Sequence, residues 1–352
     1  MFEKVKVLVV DDSAFMRIVI RDMINNQPDM EVVDTARDGE DAIKKVKLLN
    51  PDVVTLDIEM PRKNGLEALE EIRKISLCEV IMLSSLTYKG SQETMEALRI
   101  GAFDFIQKPS GSISLDIDKV KNELAEKIRY AKNARKKKVT KPAITIKHNN
   151  LEVIKNESTI STYRKRIDAI LIGASTGGPR VLYDLITKLP LNIDVPVFVV
   201  QHMPAGFTKA FAERINKNAE LEVVEASDGE PIISNKVYIA PGGYHMVLQP
   251  KAVKLELTPP IHGVRPAVDN LFLSAVNIYG GNLLCCVLTG MGKDGAEGLK
   301  AIKLKGGATI AQDEATSTVY GMPRAAFDTG CVDMVLPDSE IPQEIVKIVK
   351  GV

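Results

Sequence analysis

The run "VKVLVV" at residues 5–10 sets a pattern that holds for the first 130 residues. A short aliphatic or β-branched run is followed by a polar turn, then by a segment whose apolar positions recur at helical spacing. The runs predict strands over residues 5–10, 30–36, 53–56, 79–83 and 104–106. The helical spacing predicts helices over 14–25, 39–49, 65–74 and 92–100, with a fifth from residue 115 onward. Five such alternations imply a doubly wound, five-stranded parallel sheet of the flavodoxin-like kind. Near Ile167 the alternation resumes, with strands predicted at 169–172, 195–200, 236–240, 283–288, 308–311 and 334–336. This second region is also α/β with a mostly parallel sheet. Residues 236–257, broken by "PGG" and "QPK" and lacking helical period, add an antiparallel hairpin.

Between the two patterns, residues 132–147 carry seven Lys/Arg and no acidic residue, which cannot build a core. The chain therefore divides into residues 1–125, a helical extension and basic linker over 126–165, and a second domain over 166–352. A chain of 352 residues exceeds the usual size of one core, and 45% hydrophobic residues suffice for two. Lys+Arg and Asp+Glu balance at 46 each, which lacks the electrostatic footprint of a nucleic-acid binder. No basic recognition helix follows Ile167, so no nucleic-acid partner is expected. The four cysteines show no CxxC or metal-ligand spacing and are expected to be reduced packing residues. The apolar run at the N-terminus is too short for a signal peptide, and no stretch approaches a membrane span. A cytoplasmic monomer without membrane insertion is expected.

In an open parallel sheet, ligands sit beyond the carboxyl ends of the strands. In the first domain those ends carry Asp11 and Asp12 ("VVDD"), Asp57 ("VTLD"), Ser84 and Ser85 ("IMLSS"), and Lys108 and Pro109 ("FIQKP"). Carboxylates of this kind suit Mg²⁺, which takes hard oxygen ligands together with a phosphoryl oxygen. A further carboxylate can attack phosphorus to form an aspartyl phosphate, and Lys108 offers a point charge to the phosphoryl oxygens. One aspartate after a strand is only a turn former, but the whole set on one edge is more than that. Residues 1 to about 125 resemble a two-component receiver domain through "VDDS", "LDIEMPRKNG", "SS" and "KP" in this order. The resemblance implies Asp57 as phosphoacceptor and Mg²⁺ held by Asp11, Asp12, Asp57 and the Glu59 carbonyl. It also implies Ser84 and Phe105 as switch residues, Lys108 as the phosphate partner, and a histidine kinase as phosphodonor.

In the second domain, "GASTGGPR" nearly fits a P-loop, but Pro179 and Arg180 stand where Lys and Ser/Thr should be. The dinucleotide fingerprint fails at Ser175, which disfavours a nucleotide-binding oxidoreductase. Gly173-Ala-Ser175-Thr-Gly177 does fit the G-x-S-x-G turn that exposes a serine between strand and helix. Such a serine needs a base. Of the four histidines, His148 lies in the linker, His245 on the hairpin and His262 in a loop. His202 sits at the carboxyl end of a buried strand, on the same edge as Ser175. The acid that orients it could be Asp294 ("VLTGMGKDG") or Asp313 ("TIAQDE"); the glycines around Met291, which let backbone N–H groups approach a reacting carbonyl, favour the Asp294 loop. Without such a histidine, a response regulator whose second domain merely binds a partner would be the better account.

Residues 166–350 resemble the catalytic domain of the chemotaxis protein-glutamate methylesterase (CheB) family, through "GASTGG", "QHMP", "IAPGGYHM", "RPAVDNLF", "LTGMGKDGAEGL" and "AQDEATSTVYGMPRAA". The resemblance implies a triad of Ser175, His202 and Asp294, Thr176 beside the nucleophile, and the Met291 N–H as oxyanion donor. It implies hydrolysis of glutamyl methyl esters and deamidation of glutamines on methyl-accepting chemoreceptors, with no cofactor for the hydrolase. With one tether joining the domains, the receiver is expected to hold the hydrolase down until Asp57 is phosphorylated.

Overall fold

The computed structural model describes residues 4–108, 116–140 and 166–351. The chain divides into two compact units, Met1–Lys147 and His148–Val352. The first alternates β1 (Val5–Val10), α1 (Ala14–Asn25), β2 (Met30–Ala36), α2 (Gly39–Leu49), β3 (Val53–Asp57), α3 (Gly65–Ile75), β4 (Glu79–Ser84), α4 (Tyr88–Ile100), β5 (Asp104–Gln107) and α5 (Asp116–Thr140). Its strands pair in parallel in the order β2-β1-β3-β4-β5. The order reverses direction at β1, so the carboxyl ends of β1 and β3 flank the crevice where such sheets bind ligands. Apart from the exposed Lys6, both strands are buried on either face, which is why they appear in the sequence as nearly continuous apolar runs.

In the first unit α1 to α4 each begin at a side-chain cap. The Asn64 side chain accepts from the Glu67 N–H and Glu67 returns to the Asn64 N–H, closing a capping box at α3. Thr87 caps α4 through the Gly90 N–H at 2.9 Å, so this helix begins at Tyr88, four residues before the position its apolar spacing predicts. A Cβ on Gly90 would press on the Ser85 carbonyl at 2.9 Å, so this residue is small for packing. The basic segment also differs from expectation. Residues 132–140 continue α5, and Lys132 and Arg135 are not solvated: they reach the Asp52 carboxylate at 2.5 and 2.6 Å. Burial alone would raise Asp52, but these cations and the Lys6 N–H hold it below the usual carboxylate range. The remainder of the basic linker, with His148, and Pro109 lie outside the described residues.

The second unit runs β6 (Ala169–Ala174), α6 (Gly178–Ile186), β7 (Val197–Gln201), α7 (Phe207–Asn216), β8 (Glu222–Glu225), β9 (Lys236–Ile239), β10 (His245–Gln249), β11 (Ala252–Glu256), α8 (Val268–Tyr279), β12 (Leu283–Val287), α9 (Ala296–Leu304), β13 (Ala308–Gln312), α10 (Met322–Asp328), β14 (Met334–Leu336) and α11 (Ile341–Lys350). Seven strands pair in parallel as β14-β13-β12-β6-β7-β9-β8, and β10 with β11 forms a separate antiparallel hairpin. β8 is absent from the sequence expectation because it is a four-residue edge strand, half-exposed, with a glutamate at each end. The core packs around Phe198 and Tyr238, whose rings stack at 5.2 Å.

Gly65 is the tightest glycine of the first unit. Its N–H donates to the Ile58 carbonyl at 2.9 Å, and a Cβ there would lie 2.1 Å from the Asp57 carbonyl oxygen. Gly65→Ala should destabilise the first unit by about 1–3 kcal/mol, since backbone rather than a mobile side chain must give way. Calorimetry of the full chain should show one unfolding transition lowered; an unchanged pair of transitions would contradict the close approach.

Candidate active site

The carboxyl edge of the second sheet gathers its chemistry at the β6–β7 pair. β6 is buried through Ala174, then turns through Ser175, Thr176 and Gly177 into α6. Gly177 adopts φ +78°, a left-handed conformation that glycine accepts without strain. Ser175 is half-buried. Its N–H donates to the Thr289 carbonyl (3.0 Å), and its carbonyl accepts from the Gly178 N–H (2.8 Å) and Gln201 Nε2 (2.9 Å). With its backbone held on both sides, the side chain has a fixed origin. One residue beyond β7, the His202 N–H donates to the Ala174 carbonyl at 3.1 Å, extending the ladder and setting the histidine beside the serine turn.

His202 Nε2 meets Asp294 Oδ2 at 2.8 Å. Asp294 is buried, and its Oδ2 also accepts from the Val268 N–H (2.6 Å) while Oδ1 accepts from the Asp269 N–H (2.9 Å). These two amides open α8, so the carboxylate sits at a helix N-terminus, where backbone donors and the dipole favour an anion. Burial pushes Asp294 up; the imidazole and the two N–H groups outweigh it and hold the acid below the usual carboxylate range. An ionised Asp294 can only accept, so this contact requires a proton on Nε2, and in the neutral ring Nδ1 is then the acceptor. No described hydrogen bond joins the Ser175 hydroxyl to His202. Asp313 does not reach the histidine: its Oδ1 accepts from the Thr316 N–H (2.9 Å) and Oγ1 (2.5 Å), closing a local turn.

The β12–α9 loop presses on the serine from the other side. A Cβ on Gly290 would lie 2.8 Å from Ser175 Cβ, and the Gly290 carbonyl is held by the Gly321 and Met322 N–H groups. Met291 follows, half-buried, and its N–H donates to no described residue. Thr176 is buried, and its carbonyl accepts from Thr289 Oγ1 at 2.9 Å. Three residues absent from the sequence expectation complete the frame. Gln201 binds the Ser175 carbonyl; Thr289 links the serine turn to Val319; and Gln312 Oε1 accepts from the Thr289 N–H at 2.8 Å. Their signal was available in "VVQH", "VLTG" and "IAQD": each apolar run ends in a neutral polar residue on the same sheet edge. His245 is structural, accepting the Ala267 N–H at Nδ1 and lying 3.1 Å from the Pro259 carbonyl at Nε2.

In the first unit, carboxylate oxygens of Asp11, Asp12 and Asp57 lie within 4.8 Å of one another at the ends of β1 and β3. Lys108 Nζ bridges Asp11 Oδ2 (2.9 Å) and Asp57 Oδ2 (2.7 Å). Burial raises Asp57 to about 6, aided by the Asp11 charge and opposed by Lys108 and the Glu59 N–H. Asp11 Oδ2 and Asp57 Oδ2 are buried, and among the described residues the Lys108 ammonium is the one charged group that meets both. Three carboxylates against one lysine leave net negative charge, and an all-oxygen donor set of this kind fits a hard divalent cation. Ser84 Oγ faces α4, accepting from Thr94 Oγ1 (2.7 Å) and donating to the Gly90 carbonyl (3.2 Å), with no described bond to Asp57. Phe105 is buried, with the Lys127 ammonium 5.5 Å above its ring. The Glu59 side chain is exposed.

The raised Asp57 carries a stability consequence. Its folded value of about 6 exceeds the ordinary aspartate value of 3.8, so the folded state binds the proton more tightly, and stability is lost as the pH rises from about 4 through 6. Without divalent cations, Asp57→Asn should stabilise the first unit by about 1–3 kcal/mol at pH 7.5. The gain should fade as the pH falls toward 4. A gain independent of pH, or none at pH 7.5, would show that burial does not strain this carboxylate.

Comparison with known proteins identifies both domains. A CheB methylesterase family model matches residues 170–345, and a response regulator receiver domain model matches residues 7–117. The protein-glutamate methylesterase/protein-glutamine glutaminase of Clostridium acetobutylicum is 48% identical, covering 99% of this chain and 99% of its own length. That of Pyrococcus horikoshii is 46% identical, covering 99% and 95%. The crystal structure of the Thermotoga maritima CheB methylesterase catalytic domain aligns with TM-score 0.51 and 43% identity, over 52% of this chain and 99% of that one. An acid-backed histidine beside a serine turn in one sheet, a carboxylate cluster with a lysine in the other, and relatives similar over nearly their whole length lead to one assignment: the chain belongs to the protein-glutamate methylesterase/protein-glutamine glutaminase family, a CheB methylesterase domain joined to a response-regulator receiver domain.

Proposed function

We propose that residues 166–352 form a serine hydrolase that demethylates glutamyl methyl esters and deamidates glutamines on methyl-accepting chemoreceptors. In this reading residues 1–125 regulate it and residues 126–165 connect the two. The observation that carries the reading is the 2.8 Å contact of His202 Nε2 with Asp294 on the edge that bears Ser175. Ser175 Oγ attacks the side-chain carbonyl carbon while its proton passes to His202 Nδ1, and Asp294 stabilises the imidazolium. The carbonyl oxygen takes the negative charge and accepts from the Met291 N–H, which has no described acceptor of its own, with Thr176 beside the nucleophile. Collapse expels methanol from an ester or ammonia from an amide, taking the proton from His202. Water, deprotonated by the same nitrogen, then attacks the acyl-serine, releasing the glutamate carboxylate and restoring the Ser175 hydroxyl.

In the receiver, Asp57 accepts a phosphoryl group from a chemotaxis histidine kinase. Asp11, Asp12, Asp57 and the Glu59 carbonyl would hold Mg²⁺, which supplies positive charge to the phosphoryl oxygens when bound. Lys108 exchanges part of its contact with Asp57 for the phosphoryl group, Ser84 turns from the Gly90 carbonyl toward it, and the packing around Phe105 changes in step, relieving inhibition of the hydrolase. The protein acts as a cytoplasmic monomer. In this reading it engages neither nucleic acid nor the membrane interior. Among the described residues no helix is long and apolar enough to span a bilayer.

Methanol release from methylated chemoreceptor tests the hydrolase directly. Ser175→Ala and His202→Ala should each lose at least about a thousandfold in turnover, whereas Asp294→Asn loses roughly one to two orders of magnitude less than they do. Wild-type turnover in folded Ser175→Ala would end the reading. A small phosphodonor with Mg²⁺ should activate the wild type and leave Asp57→Asn at its resting rate. A fragment beginning near Ser158 should outpace the unphosphorylated full chain; a fragment no faster would show that the receiver activates rather than restrains.

A further inference from the structure

Behind Asp294 lies a second imidazole–carboxylate pair that the proposed reaction does not use. His262 Nε2 lies 3.0 Å from Asp269 Oδ2, and Asp269 Oδ1 accepts from the Gly298 N–H at 2.8 Å, in the first turn of α9. Asp269 is buried, while His262 is partly exposed, on a turn closed by the reciprocal Ile261–Val264 backbone hydrogen bonds. Ligand atoms of His262, Asp269 and Asp294 all fall within 4.8 Å of one another. The two helices thus hold one another: α8 donates Val268 and Asp269 N–H groups to the acid that precedes α9, and Asp269 of α8 caps α9.

Two buried carboxylates this close tend to share a proton, because the second charge is costly beside the first. Burial and the Asp294 charge both push Asp269 up; the Gly298 N–H and His262 oppose them. A protonated Asp269 would turn its O–H to the nearest anion, and a proton shared with Asp294 would weaken the acceptor that His202 needs. We propose that His262 and Asp269 are positioning residues: His262 donates to the Asp269 carboxylate and so keeps it an acceptor, which leaves Asp294 free to hold His202. This rests on the hydrolase reading for its catalytic consequence, but not for its structural one.

The full-length chain, labelled with ¹⁵N-histidine, tests both parts. The downfield proton on His202 Nε2, assigned by its loss in His202→Gln, reports the bond to Asp294, and methanol release from methylated chemoreceptor reports turnover. His262→Phe keeps the ring volume without a donor, and His262→Gln keeps a donor. His262→Phe should shift the resonance upfield and lower kcat about tenfold with KM unchanged, a modest weakening of one transition-state contact. His262→Gln should restore both. An unmoved resonance in folded His262→Phe overturns the proposal, as does equal damage in Phe and Gln variants. If the wild type releases no methanol while the resonance responds as described, the hydrolase reading fails and the positioning role stands. If wild type is active, Ser175→Ala silent and His262→Phe indistinguishable from wild type, the positioning role alone fails.

Discussion

A buried carboxylate stays ionised only when its lone pairs are met, and Asp294 is met by one imidazole and two amides at the start of α8. That requirement organises the second unit. It fixes the β12–α9 loop, which brings Gly290 against Ser175 and continues into Met291, the proposed oxyanion donor. It selects the nitrogen of His202 that carries a proton. Through Asp269 it couples the starts of α8 and α9, so the acid, the loop and the helix pair stand or fall together.

The two units use the same edge of a parallel sheet for opposite electrostatic ends. At the receiver edge, Asp57 is buried among acids with one lysine, and burial raises it to about 6. That carboxylate is poorly satisfied and ready to exchange partners, as the proposed phosphoacceptor must be. At the second edge, donors surround Asp294 and hold it low, which suits a group that must remain an anion beside an imidazolium. Both are nearly inaccessible to solvent; the difference lies in what faces them.

Much of this was legible in the sequence because buried parallel strands appear as uninterrupted apolar runs and their polar terminators mark the ligand edge. The strand ends at Asp57, Ser175 and His202 were legible on that basis. The choice between Asp294 and Asp313 was legible only as a leaning toward the glycine-rich Asp294 loop, because both follow a strand on the same edge and only the fold shows that Asp313 is occupied by Thr316. The His262–Asp269 pair was not legible, since a proline- and glycine-rich loop gives no period from which to place a side chain. β8 escaped because a short, half-exposed edge strand has neither a continuous apolar run nor a clean alternation. Lys132 and Arg135 escaped because a charge run suggests solvent unless a buried acid such as Asp52, 80 residues earlier in the case of Lys132, is known to await it.

The most direct measurement is a crystal structure of the second unit's site after reaction with a p-nitrophenyl methyl phosphonate diester analogue of the glutamyl methyl ester, in which Ser175 Oγ displaces p-nitrophenolate from phosphorus. The account predicts a phosphorus bonded to Ser175 Oγ, with one phosphonyl oxygen accepting from the Met291 N–H within about 2.7–3.1 Å and His202 still joined to Asp294. An adduct at another residue, or a phosphonyl oxygen directed away from Met291 with the His202–Asp294 bond broken, would contradict it.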